Sequence, residues 1–298
     1  MFMRKFFTYL FMTLMFTIAV VCLPTGSVFS VLSLAAEEPD EIETEAFIRR
    51  TKEVNVPVVM YHLVTDNSKY IGKYGVTPEE LRQDLEYLKK KKYNTIVMQD
   101  LINYVERGDK LPKNPVMLTF DDGNFSDYCY LLPLLKEFNM KAVVAVIGSA
   151  TDKYTALAEK TPKGRFPNLT WSQVIELHKS GLVEIQNHSY DLHGSGGSGR
   201  RKDESAETYH TRLFNDLKKF QDLCQTHLGY KPTTFVYPLG VISKGSREVL
   251  EELGMIASLS CQEGMNTIRQ GDKDCLFQLQ RTNRPSGNGI ESILRSIK

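Results

Sequence analysis

Three short apolar runs in this sequence stop at groups that can do chemistry: residues 57–61 at His62, residues 115–120 at Asp121 and Asp122, and residues 183–186 shortly before His188 and His193. A carboxylate with two imidazoles is a usual ligand set for a catalytic zinc-type ion, because three protein ligands leave a fourth position for water. Asp122, His188 and His193 are the candidate ligands. Zinc suits that set, and cobalt or nickel would also fit. The two histidines are five residues apart. On a helix that spacing would put them about 140° apart around the axis, so joint ligation calls for an extended or looped segment. Asp121 and Asp122 would point to opposite sides of a strand. At a strand end, where the chain turns at Gly123, both can approach one pocket. One carboxylate then binds metal while the other takes a proton from water. The plainer alternatives are a core histidine with satisfied hydrogen bonds and an Asp-Gly pair that only makes a turn.

These groups meet only if their strands share a sheet. Thr77 stands before Pro78 and three residues ahead of Glu80, a capped helix start. Leu81, Leu85 and Leu88 follow at i, i+4 and i+7. Further helices are expected over residues 99–107, 126–138, 170–179, 206–228 and 246–253, with Gly254 as a stop. Strands are expected over 94–98, 115–120, 142–147, 183–186, 234–237 and 256–259. Residues 142–147 are apolar throughout, as in a strand covered on both faces. This alternation defines an α/β fold with a parallel sheet, open or closed into a barrel, whose C-terminal strand ends carry the site. Residues 193–201 (HGSGGSGRR) read as a surface loop beside it.

With 298 residues, 42% hydrophobic and 24% charged, the chain can build one large core. A net charge of +1 argues against dedicated nucleic-acid binding. The lysines at 89–92 suit the C-terminal end of the helix before them. Arg4 and Lys5, an apolar stretch over 6–23 and the Ser33-Leu34-Ala35 cleavage-like site make residues 1–36 a signal peptide or membrane anchor. The catalytic part is therefore expected outside the cytoplasm, secreted or at the cell surface. Residues 37–53 read as an acidic, polar linker and residues 54–298 as one catalytic domain. Beyond Cys22, the cysteines at 129, 224, 261 and 275 allow three pairings. A domain of this size does not need any of them.

The strand-end residues also resemble a family. Residues 119–123 (TFDDG), 187–193 (NHSYDLH) and 235–240 (FVYPLG) together are similar to the polysaccharide deacetylases of the NodB-homology type, carbohydrate esterase family 4, over roughly residue 54 to the C-terminus. The resemblance implies a distorted (β/α) barrel that hydrolyses acetamido groups on an N-acetylglucosamine-containing wall or extracellular polysaccharide and releases acetate. It implies a divalent metal on Asp122, His188 and His193, with Asp121 as general base. Tyr237, Pro238, Leu239 and Trp171 are the candidates to wall the acetyl pocket, with ordinary core as the equal alternative for Trp171, and a monomer is expected. The five-residue histidine spacing, in place of four, resembles the poly-N-acetylglucosamine deacetylase branch. The family's usual arginine is missing from residues 235–240, and no histidine follows His227 to serve as the usual late acid. His62 resembles the N-terminal histidine that takes this part in the exopolysaccharide branch, and an imidazole can carry a proton near neutral pH. Its plainer reading is a structural strand-end histidine. Arg281 or Arg284 would orient Asp121. His178, His210 and His227 are expected on the surface. An O-acetyl (xylan-type) esterase on the same scaffold and a non-catalytic glycan-binding module are the alternatives.

Overall fold

The computed structural model describes residues 52–161, 167–194 and 196–297. In chain order the elements are β1 (Glu53–Val56), β2 (Val58–Tyr61), β3 (Leu63–Val64), β4 (Gly75–Val76), α1 (Pro78–Lys90), β5 (Asn94–Ile96), α2 (Met98–Arg107) and β6 (Pro115–Phe120). A π-helical turn at Asp127–Leu131 leads into α3 (Leu132–Phe138), followed by β7 (Ala142–Val146), α4 (Gly148–Lys160), α5 (Trp171–Lys179), β8 (Val183–Asn187) and α6 (Ala206–Leu228). The chain ends with β9 (Thr234–Val236), α7 (Ser246–Glu252), β10 (Ala257–Leu259), β11 (Asn266–Arg269), β12 (Thr282–Asn283) and α8 (Ile290–Ser296).

The main sheet is parallel, in the order β10-β9-β8-β7-β6-β2-β12, with β5 added to β6. Met117 pairs with Val58 of β2 and with Ile96 of β5, so β5 lies on the edge of β6 away from β2. It takes the first half of that edge, and β7 takes Thr119 and Phe120. This shared edge distorts the barrel. Closure comes from the chain after residue 278: Leu279 bridges Leu259 of β10, and β12 then pairs with Val59 and Met60 of β2. The expected distorted (β/α) barrel is the fold found.

Strand alternation sorts the core into two layers. Val59, Tyr61, Leu118, Phe120, Val144 and Val146 pack outward with the apolar faces of α1, α3, α5 and α6. Val58, Met117, Val143, Ala145 and Val236 face inward and meet Leu101, Ile102 and Val105 of α2. The same period carries the inner face to His62, two residues after Met60, and to Thr119 on β6 and Asp121 just after its end. The register of Ala145 with Gln186 places Gln186 inward too, and His188 follows two residues on.

Several boundaries differ from expectation for identifiable reasons. Strand β5 stops at Ile96 because the Asp100 carboxylate accepts the Val97 N–H at 3.0 Å and caps α2. The helix expected over 126–138 divides into the π turn and α3, with Pro133 near the α3 start. Glu53, expected in the linker, belongs to β1, which pairs antiparallel with β11. Helix α4 and the elements β11, β12 and α8 were not anticipated. The expected leader and nearly all of the linker lie outside the described residues. Among the described residues no helix is long and apolar enough to cross a membrane. Cys224, Cys261 and Cys275 are free thiols, and burial pushes the Cys224 thiol well up.

Candidate active site

The three expected ligands converge. Asp122 Oδ1 lies 3.0 Å from His193 Nε2 and 3.5 Å from His188 Nε2. His188 Nδ1 is 2.8 Å from the Val236 carbonyl. That carbonyl can only accept, so Nδ1 carries the proton and Nε2 presents a lone pair to Asp122. Asp122 Oδ1 is buried without a hydrogen-bond partner. A lone pair facing a buried carboxylate oxygen lacks a positive charge between them, and the three ligand atoms lie within 4.8 Å of one another. A divalent ion fits this donor set. Burial alone would raise the Asp122 carboxyl, and positive charge placed beside it at His188 and His193 holds the group far below the ordinary carboxylate range. The contact with Asp122 raises His193 in turn, against burial.

Local sequence explains how residues five apart in the chain meet. The Asn187 side chain accepts the Ser189 N–H at 2.8 Å and donates to the Leu217 carbonyl at 3.1 Å. Asp216 of α6 accepts the N–H groups of Tyr190 and Asp191 at 2.7 and 2.8 Å. Ser189 takes a left-handed φ of 72°, so the segment loops instead of coiling into a helix. Asp122 is also left-handed, with φ 77°, and Asn168 donates to its carbonyl at 3.1 Å. Gly123 follows with φ 62°, and a Cβ there would stand 3.3 Å from Val146. Strained backbone on both sides of the ligand set is the kind that functional sites retain.

Arg281 is fully buried and forks onto Asp121: Nη1 donates to Oδ1 at 2.7 Å and Nη2 to Oδ2 at 2.9 Å. Its Nε donates to the Ser260 carbonyl at 2.7 Å, which fixes the guanidinium plane. Burial would raise the Asp121 carboxyl, but Arg281 is the leading opposing charge and the group stays below its ordinary value. His62 Nε2 is 4.0 Å from Asp121 Oδ2. Burial lowers the His62 imidazole, with Asp121 pulling the other way. Arg284, the second candidate to orient Asp121, is engaged elsewhere: it pairs with Asp84 at 2.8 Å.

His62, Asp121, Asp122, His188 and His193 line a cavity of about 650 Å³ at the barrel mouth. Leu239 is on its wall and is 57% exposed, held there by a left-handed φ of 57°. Tyr237 and Pro238 are buried behind it, and the Tyr237 hydroxyl meets Ser246 Oγ at 2.9 Å. Trp171 does not reach the cavity. It is buried at the start of α5, donates from Nε1 to Asp152 at 2.7 Å, and stacks on the exposed His227 at 4.3 Å. Its role is packing on the outer layer, where its single N–H finds a partner. His178 and His210 sit partly exposed on α5 and α6. Sequence reading missed Tyr70, Lys73, Tyr74, Cys261, Glu263 and Asn283, which also line the cavity. Two tyrosines in a loop that is mostly polar were the available signal.

A parallel barrel whose mouth gathers a His-His-Asp ligand set beside an arginine-clamped second carboxylate has the equipment of a metal-dependent hydrolase. The polysaccharide deacetylase family model matches residues 108–258, about half of the chain, and the chain belongs to that family. The poly-β-1,6-N-acetyl-D-glucosamine N-deacetylase of Escherichia coli K12 is 26% identical over 235 residues, covering 72% of this chain and 35% of that protein. The enzyme of the same name from Staphylococcus epidermidis is 25% identical over 202 residues, covering 66% and 64%. The chain thus spans about a third of the Escherichia coli relative (35%) and just under two thirds of the staphylococcal one (64%). Among solved structures, a de-N-acetylase from Aggregatibacter actinomycetemcomitans matches with a TM-score of 0.68 at 26% identity, covering 81% of this chain and 99% of that one. IcaB from Ammonifex degensii matches with a TM-score of 0.62 at 25% identity, covering 78% and 92%.

Proposed function

We propose that this protein removes acetyl groups from an N-acetylglucosamine-containing polysaccharide by metal-dependent hydrolysis, outside the cytoplasm. The observation that carries the reading is the convergence of Asp122, His188 and His193 in the same mouth as the clamped carboxylate of Asp121. The names of the relatives support the substrate class, and the leader-like residues 1–36 support export.

A divalent ion held by Asp122, His188 and His193 supplies Lewis acidity toward the acetamide carbonyl and toward a water, and zinc, cobalt or nickel would serve. The chain's own residues do the remainder. Arg281 keeps Asp121 ionised and fixes its plane, so Asp121 can accept the proton of the attacking water. His62 donates a proton to the departing nitrogen as the carbon–nitrogen bond breaks, leaving acetate and a free amino sugar. Leu239 offers an apolar surface for the acetyl methyl group. The Tyr237 N–H is already bonded to the Leu259 carbonyl at 3.0 Å, and Pro238 has none. The next amide, that of Leu239, is the candidate donor to the developing oxyanion.

The test is acetate release from β-1,6-linked N-acetylglucosamine oligomers, before and after chelation and with zinc restored. Activity should vanish with chelation and return with metal, and Asp122→Ala should lose both metal and turnover. Release that survives chelation, or release from acetylated xylan alone, would overturn the proposal.

A further inference from the structure

Strands β2 and β6 run parallel and in register up to Tyr61 and Phe120, and His62 and Asp121 stand one residue beyond on each. The ladder takes one more step there: the Asp121 N–H donates to the Tyr61 carbonyl at 3.0 Å. In a parallel pair the return bond would run from the Leu63 N–H to the Asp121 carbonyl. Leu63 instead donates to the Tyr74 carbonyl at 3.0 Å, as β3 turns away to pair with β4. The ladder between β2 and β6 thus breaks at the two residues proposed as acid and base.

The Asn124 side chain, on the cavity wall, bridges that break. Its Nδ2 donates to the Asp121 carbonyl at 3.1 Å and to the His62 carbonyl at 3.4 Å. Both neighbours are carbonyl oxygens, which only accept, so the amide nitrogen is the atom that faces them. The backbone that carries this side chain is itself pinned. Phe125 N–H donates to the Pro167 carbonyl at 2.8 Å, Leu169 N–H to the Gly123 carbonyl at 2.9 Å, and Asp127 N–H to the Asn124 carbonyl at 3.0 Å. One fixed amide therefore joins the two strand ends where the ladder no longer does.

The two residues depend on that clip unequally. Asp121 is also held through its carboxylate by the Arg281 fork. The His62 ring has no such fork: Nδ1 is buried without a hydrogen-bond partner, and Nε2 lies 4.0 Å from Asp121 Oδ2. Its imidazole is placed by ring packing and by its backbone, and Asn124 holds that backbone at the carbonyl. Loss of the amide should therefore displace the proposed acid more than the proposed base.

We propose that Asn124 is a positioning residue that fixes His62 relative to Asp121, so that both act on one bound acetamide. This rests on the deacetylase reading above. The test compares zinc-dependent hydrolysis of a β-1,6-linked N-acetylglucosamine oligomer and of 4-nitrophenyl acetate. Both yield acetate, but the amide needs a proton on its departing nitrogen, whereas 4-nitrophenolate leaves without one. In Asn124→Ala the amide-to-ester ratio of kcat should fall about 10²-fold, the effect of misplacing a reacting group by about 1 Å. KM for the oligomer and zinc affinity should change little. Asn124→Leu keeps the bulk without the donors and should lose as much, while Asn124→Gln keeps the donors on a longer arm and should recover part. In a His62→Gln background Asn124→Ala should slow the amide no further, because its effect runs through His62. An unchanged ratio in whichever donor-free variant folds, or a loss repeated in full in the His62→Gln background, overturns the role of Asn124 while the deacetylase reading stands. A parent that hydrolyses the ester but not the amide overturns that reading, and the Asn124 role with it.

Discussion

Asp121 and Arg281, 160 positions apart in the chain, meet through two parallel hydrogen bonds of 2.7 and 2.9 Å in a region where both side chains are essentially out of water. A buried, bidentate pair of this kind is hard to break from one side, because the remaining charge stays desolvated. Arg281→Ala should therefore cost about 3–5 kcal/mol of stability, read from urea or guanidinium unfolding. Arg281→Lys keeps the charge but not the fork, and should recover part of the stability and part of the turnover. An alanine variant as stable as the parent would show that the pair contributes no net support.

This pair also shows where sequence reading stopped. The motif residues Asp121, Asp122, His188 and His193 could be placed at strand ends because a strand's period and its C-terminal end are local properties of a short run. Arg281 was one of two candidates, and nothing local separates it from Arg284. What separates them is barrel closure: residues 279–283 run between β10 and β2, so Arg281 points inward to Asp121 while Arg284 reaches Asp84. Sequence alone leaves Trp171 between pocket wall and ordinary core for a related reason, and it lies in the core. An aromatic at a helix start gives no sign of which layer will cover it. Strand β1 was missed because a ribbon pairing Glu53 with Arg269 depends on a contact across most of the chain.

His62 stands beside Asp121 and outside the candidate ligand set. Its Nε2 lies 4.0 Å from Asp121, and the converging ligand set comprises Asp122, His188 and His193. His62→Gln should leave zinc affinity unchanged while lowering kcat by about 10²–10⁴-fold, the usual contribution of a positioned acid or base. The pair of measurements is a zinc competition titration and a turnover assay on the same preparation. Parental kcat in the variant would remove His62 from the mechanism.

Asp216 never approaches the cavity, yet it holds the chain between the two histidine ligands by accepting the N–H groups of Tyr190 and Asp191. Outer partners of this kind typically account for 10–100-fold in metal affinity. Asp216→Ala should weaken zinc binding by about that factor. Asp216→Asn keeps one acceptor oxygen and should lose less. A zinc-dependent loss of thermal stability, absent from the metal-free protein, distinguishes loop positioning from a general packing defect. Equal zinc affinity in all three proteins would mean that the loop holds its shape without the α6 carboxylate.

Glu184 offers a pH-dependent contribution away from the candidate metal site. It lies on β8, where burial pushes its carboxyl up from an ordinary 4.5 to about 7, against hydrogen bonds from the Gln99 N–H at 3.1 Å and from the Gln186 side chain. Below about pH 4.5 the group is protonated in both folded and unfolded chains and changes nothing. Between that pH and about 7 the unfolded chain releases the proton while the folded chain still holds it, so stability falls as pH rises. Above pH 7 the penalty is complete and constant. Glu184→Gln keeps an oxygen for the Gln99 N–H and cannot ionise. The variant should match its parent at pH 4 and exceed it at pH 8 by about 1–3 kcal/mol, kept below the full linkage value by the partial exposure of the side chain. Other buried carboxyl groups titrate in both proteins, so the difference between the two unfolding midpoints isolates Glu184. A constant difference across pH 4, 6 and 8 would show that its carboxyl does not titrate in that window.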